Sequence, residues 1–195
     1  MASCFARRSQ TTKFFDTSVT VAEVNDILGV VTAGTVTATI TEQDATTLAT
    51  ISRAGAYTIT VARTSEDSAE GADDAVESVA AADLITVNDL TTEVLTVTSA
   101  DMTGNFADTQ TVLLANTPAD SATAATISGV TGITATISGT PTVDNINDIS
   151  SLTTGTITAT LVTGPITDFV NDTTGASEID ESGNALTINV NSNAV

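Results

Sequence analysis

A nine-residue segment occurs twice in this chain in nearly the same form. Residues 32–40 read Thr-Ala-Gly-Thr-Val-Thr-Ala-Thr-Ile, and residues 153–161 read Thr-Thr-Gly-Thr-Ile-Thr-Ala-Thr-Leu. Each copy follows an acidic segment that contains asparagine, at residues 21–28 and 143–149. A duplication that includes both a segment and its flank indicates internal repeats, and repeats restrict which folds are open to a chain. We therefore predict a repeat architecture.

Both copies alternate threonine with an apolar residue, which is the pattern of a β-strand with one buried face. The threonines then share one face of the sheet, and valine, alanine, isoleucine or leucine share the other. The same alternation predicts further strands at residues 58–61, 94–98, 133–137 and 186–190, and a weaker one at residues 111–114.

A second kind of segment lies between these strands and spaces its apolar residues three and four apart. In one example Ala45, Leu48 and Ile51 share a stripe. Such segments begin with Asp, Thr or Pro, as short helices do. They are only about two turns long, so they need a sheet to pack on. Helices of this kind are predicted at residues 41–51, 80–87, 119–127, 143–149 and 165–170.

Strand centres commonly recur about every 22 residues, which is in the range of solenoid repeats. Strands joined by crossover helices are expected to be parallel, with right-handed connections. We therefore predict an α/β fold over residues 17–195, a right-handed solenoid of short helix–strand repeats with a parallel sheet. The alternative is an all-β solenoid or sandwich in which the threonine-rich intervening segments are loops, because threonine favours strand over helix.

Residues 1–16 differ in composition from the rest and are predicted to form a separate N-terminal arm. They hold three of the five phenylalanines and three of the five basic residues of the chain. We expect this arm to dock on a protein partner or to cap the first layer of the body, the alternative being a frayed terminus. The residues expected to make the contact are Phe5, Arg7, Arg8, Lys13, Phe14 and Phe15.

An acidic insertion at residues 64–78 interrupts the repeats. Counted from Glu66, its oxygen-bearing side chains and Gly71 fall at positions of a calcium-binding EF-hand loop. The loop begins with Glu where Asp is usual and has no clear flanking helices, so a solvated acidic loop is the alternative. If calcium binds, the predicted ligands are Glu66, Ser68, Glu70, Asp74 and Glu77. We expect no other cofactor.

The formal net charge of −19 limits the partners that this chain can bind. An acidic field repels nucleic acid and anionic lipid, so we expect neither as a partner. The chain has no histidine, which removes Ser-His-Asp and Cys-His catalysis and His-based zinc sites. We expect a protein that is not an enzyme. A glycan-cleaving carboxylate pair is one alternative, and the threonine faces leave ice binding or glycan contact as others.

Apolar segments, the N-terminal residues and the cysteine content indicate where in or outside the cell the protein is expected to work. The chain lacks a run of about 18 apolar residues, so no transmembrane helix is expected. No apolar segment follows Arg7 and Arg8, so we expect no signal peptide. Cys4 is the single cysteine, and no internal disulfide is expected. Such a protein is expected to reach the outside of a cell by lysis or as part of a virion.

The acidic, Asn-containing segment followed by Thr-Thr-Gly-Thr-Ile-Thr-Ala-Thr resembles Thr/Asp-rich repeats of known proteins. These are the very large surface proteins of marine cyanobacteria and the structural proteins of marine phages. The resemblance is specific at residues 21–51 and 142–172 and looser elsewhere. It implies an extracellular module of a virion or cell surface, used for adhesion or assembly.

We therefore expect a virion fibre or decoration protein that is anchored by its N-terminal arm. Its partners would be proteins of the assembly, including copies of itself. The alternative is a self-assembling bacterial surface or appendage protein, since an uncapped parallel sheet leaves unpaired edges.

Overall fold

The computed structural model describes residues 18–62, 78–116, 126–170, 179 and 183–191. Within those ranges the chain forms five α-helices, ten β-strands and one 3-10 turn, Ile166–Asp168. The helices are α1 (Val21–Val30), α2 (Ala45–Leu48), α3 (Ala81–Asp89), α4 (Phe106–Asn116) and α5 (Val143–Ser150). The strands are β1 (Thr37–Thr39), β2 (Ala56–Thr58), β3 (Thr60–Val61), β4 (Val79–Ala80), β5 (Leu95–Val97), β6 (Asp101–Asn105), β7 (Ile127–Ser128), β8 (Thr134–Ser138), β9 (Ile157–Thr160) and β10 (Ala185–Thr187).

Parallel pairing connects the strands of this α/β fold. The described strands form a two-stranded sheet (β1–β2), a three-stranded sheet in the order β3–β5–β7, and a five-stranded sheet in the order β10–β9–β8–β6–β4. Each pairing joins a strand to one further along the chain, as Ala135 pairs with Ile157. The predicted α/β class with parallel strands is confirmed, and the all-β alternative is wrong because helices occupy most of the predicted helical segments.

The sequence separation between paired strands varies along the chain. It is 22 residues between β8 and β9, 33 between β6 and β8, and 36 between β3 and β5. The step of 36 contains residues 64–78, where the sequence predicts an acidic insertion. The step of 33 contains α4, the longest described helix.

Two of the helices begin with the same capping box, which satisfies backbone N–H groups at a helix start. At α1 the Thr20 hydroxyl accepts a hydrogen bond from the Glu23 N–H at 3.2 Å, and the Glu23 carboxylate accepts one from the Thr20 N–H at 2.8 Å. The backbone N–H of Thr20, and then its hydroxyl, stabilise this carboxylate and lower the pKa of Glu23. Thr142 and Asn145 form the equivalent box at α5. The duplicated segments therefore include a duplicated helix start.

The helices pack against one another in chain order, α2 on α3, α3 on α4 and α4 on α5. Their buried residues lie three positions apart, as predicted. In α3 these are Ala81, Leu84 and Val87, and in α5 they are Val143, Ile146 and Ile149. Predicted helices at residues 41–51, 80–87 and 143–149 are found as α2, α3 and α5, while residues 165–170 form only the 3-10 turn.

The strands bury their apolar side and expose threonine, as the alternation predicts. In the second copy of the duplicated segment, Ile157, Ala159 and Leu161 are buried, while Thr158 and Thr160 are exposed. The core is continuous from α1 to the 3-10 turn and consists mainly of valine, isoleucine and leucine. Small β-branched residues fit such a core because they pack well on a pleated surface.

One predicted strand is wrong, and one predicted helix is contradicted only at its described end. Residues 111–114, predicted as a weak strand, lie in α4, where Thr109, Val112 and Leu113 are buried three and four positions apart. The helical spacing of apolar residues over the eleven residues of α4 outweighs the apolar run of three at residues 112–114. The helix predicted at residues 119–127 lies largely outside the described residues, and its last residue, Ile127, belongs to β7 and pairs with Leu95.

Tyr57 is the largest fully buried side chain in the described part of the fold. Its hydroxyl donates a hydrogen bond to the backbone carbonyl of Arg53 at 3.0 Å. Burial raises the pKa of Tyr57 above its usual value, against a smaller opposing effect of the Arg53 charge. The phenol is therefore stabilised in its protonated form inside the core.

Alkaline titration of this tyrosine is expected to coincide with unfolding. An unfolded chain loses the tyrosine proton near pH 10, about the model-peptide value, while the buried phenol stays protonated. Above that pH the unfolded state binds fewer protons than the native state, so the free energy of unfolding falls as the pH rises. The chain has one tyrosine and no tryptophan, so tyrosinate absorbance and circular dichroism should change together.

The control for this titration is Tyr57→Phe, which should weaken the alkaline loss of stability because it removes the titrating group. Tyrosinate absorbance that rises at the usual pH of tyrosine, with an unchanged circular dichroism spectrum, would show that the phenol is not buried as described.

Candidate functional site

The residues predicted from the sequence to carry function lie outside the described ranges. They are the arm residues Phe5, Arg7, Arg8, Lys13, Phe14 and Phe15, and the loop residues Glu66, Ser68, Glu70, Asp74 and Glu77. Both the docking arm and the calcium loop therefore stay predictions. Among the described residues, no group of three or more His, Cys, Asp or Glu side chains is placed to hold a metal ion.

Threonines form a short row across the five-stranded sheet, in which Thr136 and Thr158 are exposed and Thr103 is half-buried. In the five-stranded sheet Thr103, Thr136 and Thr158 lie beside one another in register, at about 4.8 Å per strand. Alanine ends the row on both sides, at Ala80 and Ala185. This surface is a row of three hydroxyl and methyl groups, which is small for a surface that binds an extended lattice.

Two threonine hydroxyls, of the buried Thr153 and the half-buried Thr91, connect neighbouring strands through hydrogen bonds to backbone groups. The Thr153 hydroxyl lies 3.0 Å from the carbonyl oxygen of Ile133, one strand back, and accepts a hydrogen bond from the N–H of Gly155. The Thr91 hydroxyl likewise donates to the carbonyl of Tyr57 at 2.6 Å. These hydroxyls hold successive strands in register. The sequence indicates them weakly, since each is a threonine between a helix and the next strand.

A pocket of about 250 Å³ lies between the start of α5 and the 3-10 turn. Its lining residues are Thr142, Val143, Asp144, Val162, Asp168 and Phe169. Roughly 300–1,000 Å³ is usual for small-molecule sites, so this pocket suits one or two side chains better than a cofactor.

The walls of the pocket are held by the backbone. The N–H of Val162 donates to the carbonyl of Pro141 at 3.0 Å, which fixes the segment after β9 beside the loop that leads into α5. On the α5 side, the capping box of Thr142 sets the start of the helix. On the other side, the N–H of Phe169 closes the 3-10 turn on the carbonyl of Ile166 at 3.0 Å, and the Phe169 ring is buried. Backbone hydrogen bonds therefore define both sides of the pocket.

The chemistry of the pocket combines apolar walls with negative charge. Val143, Val162 and Phe169 supply the apolar surface, and the side chains of Asp144 and Asp168 supply two carboxyl groups. Arg53 is the one basic residue among the described residues, and it does not line this pocket. Such a lining suits an apolar or aromatic group that carries a neighbouring cation.

Exposed apolar side chains surround the pocket at this end of the fold. Val162, Ile166, Ile188 and Val190 are each between 39% and 49% exposed. Val190 pairs with Gly164, which places the segment after β10 beside the segment after β9. We call these four residues, together with the pocket, the C-terminal end face. Sequence patterns did not reveal this surface, because its members come from three separate segments, at residues 142–144, 162–169 and 188–190.

Across the part of the chain that the structure describes, each helix is too short or too polar to cross a membrane. No protein-family model, no curated protein and no solved structure matches this chain.

Proposed function

We propose that this chain is a non-enzymatic structural repeat protein of an extracellular assembly, in the first place a fibre or decoration protein of a virion. Its N-terminal arm would anchor it to the particle, and its acidic body would project. In this proposal the stacked units continue as a right-handed solenoid, the hand that parallel crossover connections nearly always have.

The observation that carries this proposal is the stacking of parallel strands and helices in chain order. Val19 pairs with Ile40, and equivalent parallel pairings continue as far as Gly164 with Val190. Helices α2 to α5 follow the same order. In the proposed solenoid, this stacking is linear and would give an elongated body with two different ends, which suits a projecting or spacing element.

The charge of the two parts supports an anchored arm. Nothing after Arg63 is basic, whereas residues 1–16 contain Arg7, Arg8 and Lys13. A strongly acidic body remains well solvated, while a basic, aromatic arm can bind a partner of opposite charge. The same contrast makes attachment sensitive to salt, because exposed charges are screened over about 10 Å at 0.1 M ionic strength.

Deleting residues 1–16 is expected to abolish attachment and to leave the body folded. The deleted and full chains would be compared on purified particles by immunogold labelling, and in solution by circular dichroism and thermal unfolding. A scrambled arm of the same composition is the control that separates specific docking from charge alone. Labelling of the particle at the full-length level after the deletion would overturn the anchor.

A second function, a self-assembling surface or appendage protein, is favoured by the C-terminal end face. There β10 is the last strand of the five-stranded sheet, and Ile188 and Val190 are exposed beside it. Exposed strand edges with apolar side chains are templates for association with another chain. Labelling confined to cell-surface filaments would favour this function over the virion protein.

A further inference from the structure

We propose that the pocket of the C-terminal end face binds the segment Lys13-Phe14-Phe15 of a second copy of this chain, so that copies associate head to tail. This inference rests on the proposed function, since it names one partner within the assembly. Asp144 and Asp168 would then belong to a binding site, and residues 13–15 of the arm would be the segment that this site binds.

Complementary chemistry identifies the occupant. The pocket offers apolar walls at Val143 and Val162, the edge of a buried ring, and two carboxyl groups. Lys13 is the one basic residue of the chain that directly adjoins an aromatic residue, and two phenylalanines follow it. An aromatic ring placed on the apolar walls would bring the ammonium group next to the carboxylates. Aromatic anchors in pockets with a charged rim dominate protein interfaces.

The volume of the pocket agrees with this occupant. A space of about 250 Å³ admits an aromatic side chain with part of a neighbour. The exposed residues Val162 and Ile166 extend the apolar surface beyond the pocket, where a second ring could lie.

The arm of the same chain is too short for Lys13–Phe15 to reach this pocket. Val19 is separated from β7 by four parallel pairing steps, through Ile40, β2 and β5. At about 4.8 Å per step this is roughly 19 Å. The segment that carries Val162 follows β9, one step beyond β8. An extended chain spans at most about 3.6 Å per residue, so Phe14 lies within roughly 14 Å of Ser18.

The occupant must therefore come from another molecule. Because the described chain begins at Ser18, several pairing steps from the pocket, each copy can donate its arm to a second copy and receive the arm of a third. Contacts of this heterologous type build open chains unless their rotation closes a ring.

Charge reversal tests this pairing in the purified full chain. The measurement is the concentration dependence of the average mass in sedimentation equilibrium. Lys13→Glu and Asp144→Lys are each expected to weaken association by at least about tenfold, because each brings like charges together. The two changes combined in one chain should restore association to near the original level.

Asp148→Lys is the matched control, since it makes the same charge change on an exposed residue one turn further along α5 that does not line the pocket. It should weaken association much less than Asp144→Lys does, because the added charge lies outside the pocket lining and is more strongly screened. Circular dichroism of each variant checks the fold, and Val162→Ser, which shortens a pocket wall without changing charge, gives an independent loss of association.

Three results would overturn the inference: a full chain that stays monomeric, equal effects of Asp144→Lys and Asp148→Lys, or no rescue by the combined variant. The outcome is separable from that of the proposed function. Self-association without attachment to particles or cell surfaces would defeat the function alone, and attachment without self-association would defeat the pairing alone.

Discussion

Replacing Gly129 with alanine is expected to lower the free energy of unfolding by about 4 kcal/mol or more, at the upper end of single substitutions. Gly129 has a φ of +90°, and a Cβ at this position would lie 2.0 Å from the carbonyl oxygen of Val97. The contact is with backbone of the neighbouring strand, so only separation of the two strands would relieve it. Urea unfolding followed by circular dichroism measures the effect.

Gly129 combines a positive φ with a close backbone contact, and two other glycines each have one of these features alone. Gly139 also has a positive φ, +84°, but a Cβ there would meet no atom within 4 Å. Gly139→Ala should lose only the roughly 1–3 kcal/mol of the backbone conformation. Gly155 lacks a positive φ, yet its Cβ would lie 2.1 Å from the carbonyl oxygen of Ile133. If Gly139→Ala destabilises the protein as much as Gly129→Ala, the close strand contact is not the cause.

Leu84→Ala is expected to lower the free energy of unfolding by about 2–5 kcal/mol, the range for a large-to-small change in a core. Leu84 is 0% exposed and lies in the middle of α3, which packs between α2 and α4. The cavity would therefore weaken two helix contacts together. Thermal and urea unfolding of the full chain measure the loss.

The matched control is Leu114→Ala, the same substitution in the neighbouring helix α4 at a residue that is 45% exposed. It should change stability by less than about 1 kcal/mol, because alanine keeps the helix propensity and little apolar area is lost. Equal losses at the two positions would contradict the packing of α3 between its neighbours.

Repetition explains why the interior of this fold offers few binding sites. It also explains why the end of the fold offers one. Inside the stack, carbonyl and hydroxyl groups such as those of Ile133 and Thr153 bind the next strand. At the C-terminal end face, Ile188 and Val190 follow the last described strand and remain exposed. The proposed contact between copies makes use of the surface that stacking leaves open.

Local patterns predicted several elements correctly for physical reasons. The segments at residues 133–137 and 156–161 alternate strictly, so one period accounts for β8 and β9 and for their buried sides. Residues 143–149 carry apolar side chains three apart after a capping threonine, which matches α5. In each case the deciding interactions lie within a single element.

Other elements could not be predicted in this way. Strand β6, Asp101–Asn105, has a polar and glycine-containing sequence that does not favour strand, and it is held by pairing with β4 and β8. Residues 111–114 have a local strand pattern, but packing of Val112 and Leu113 in α4 overrides it. Here tertiary contacts outweigh a weak local preference.

From the sequence alone, alternation and helical spacing determine most of the strand and helix positions and the side that each one buries. The division into three parallel sheets, the partners of each strand and the C-terminal end face were decided only by the tertiary structure. An alternating strand fits equally well beside many other alternating strands. The paired residues are between 19 positions apart in sequence, as for Thr37 and Ala56, and 36 positions apart, as for Thr60 and Thr96. Contacts at that range settle the choice, because they alone distinguish one alternating segment from another.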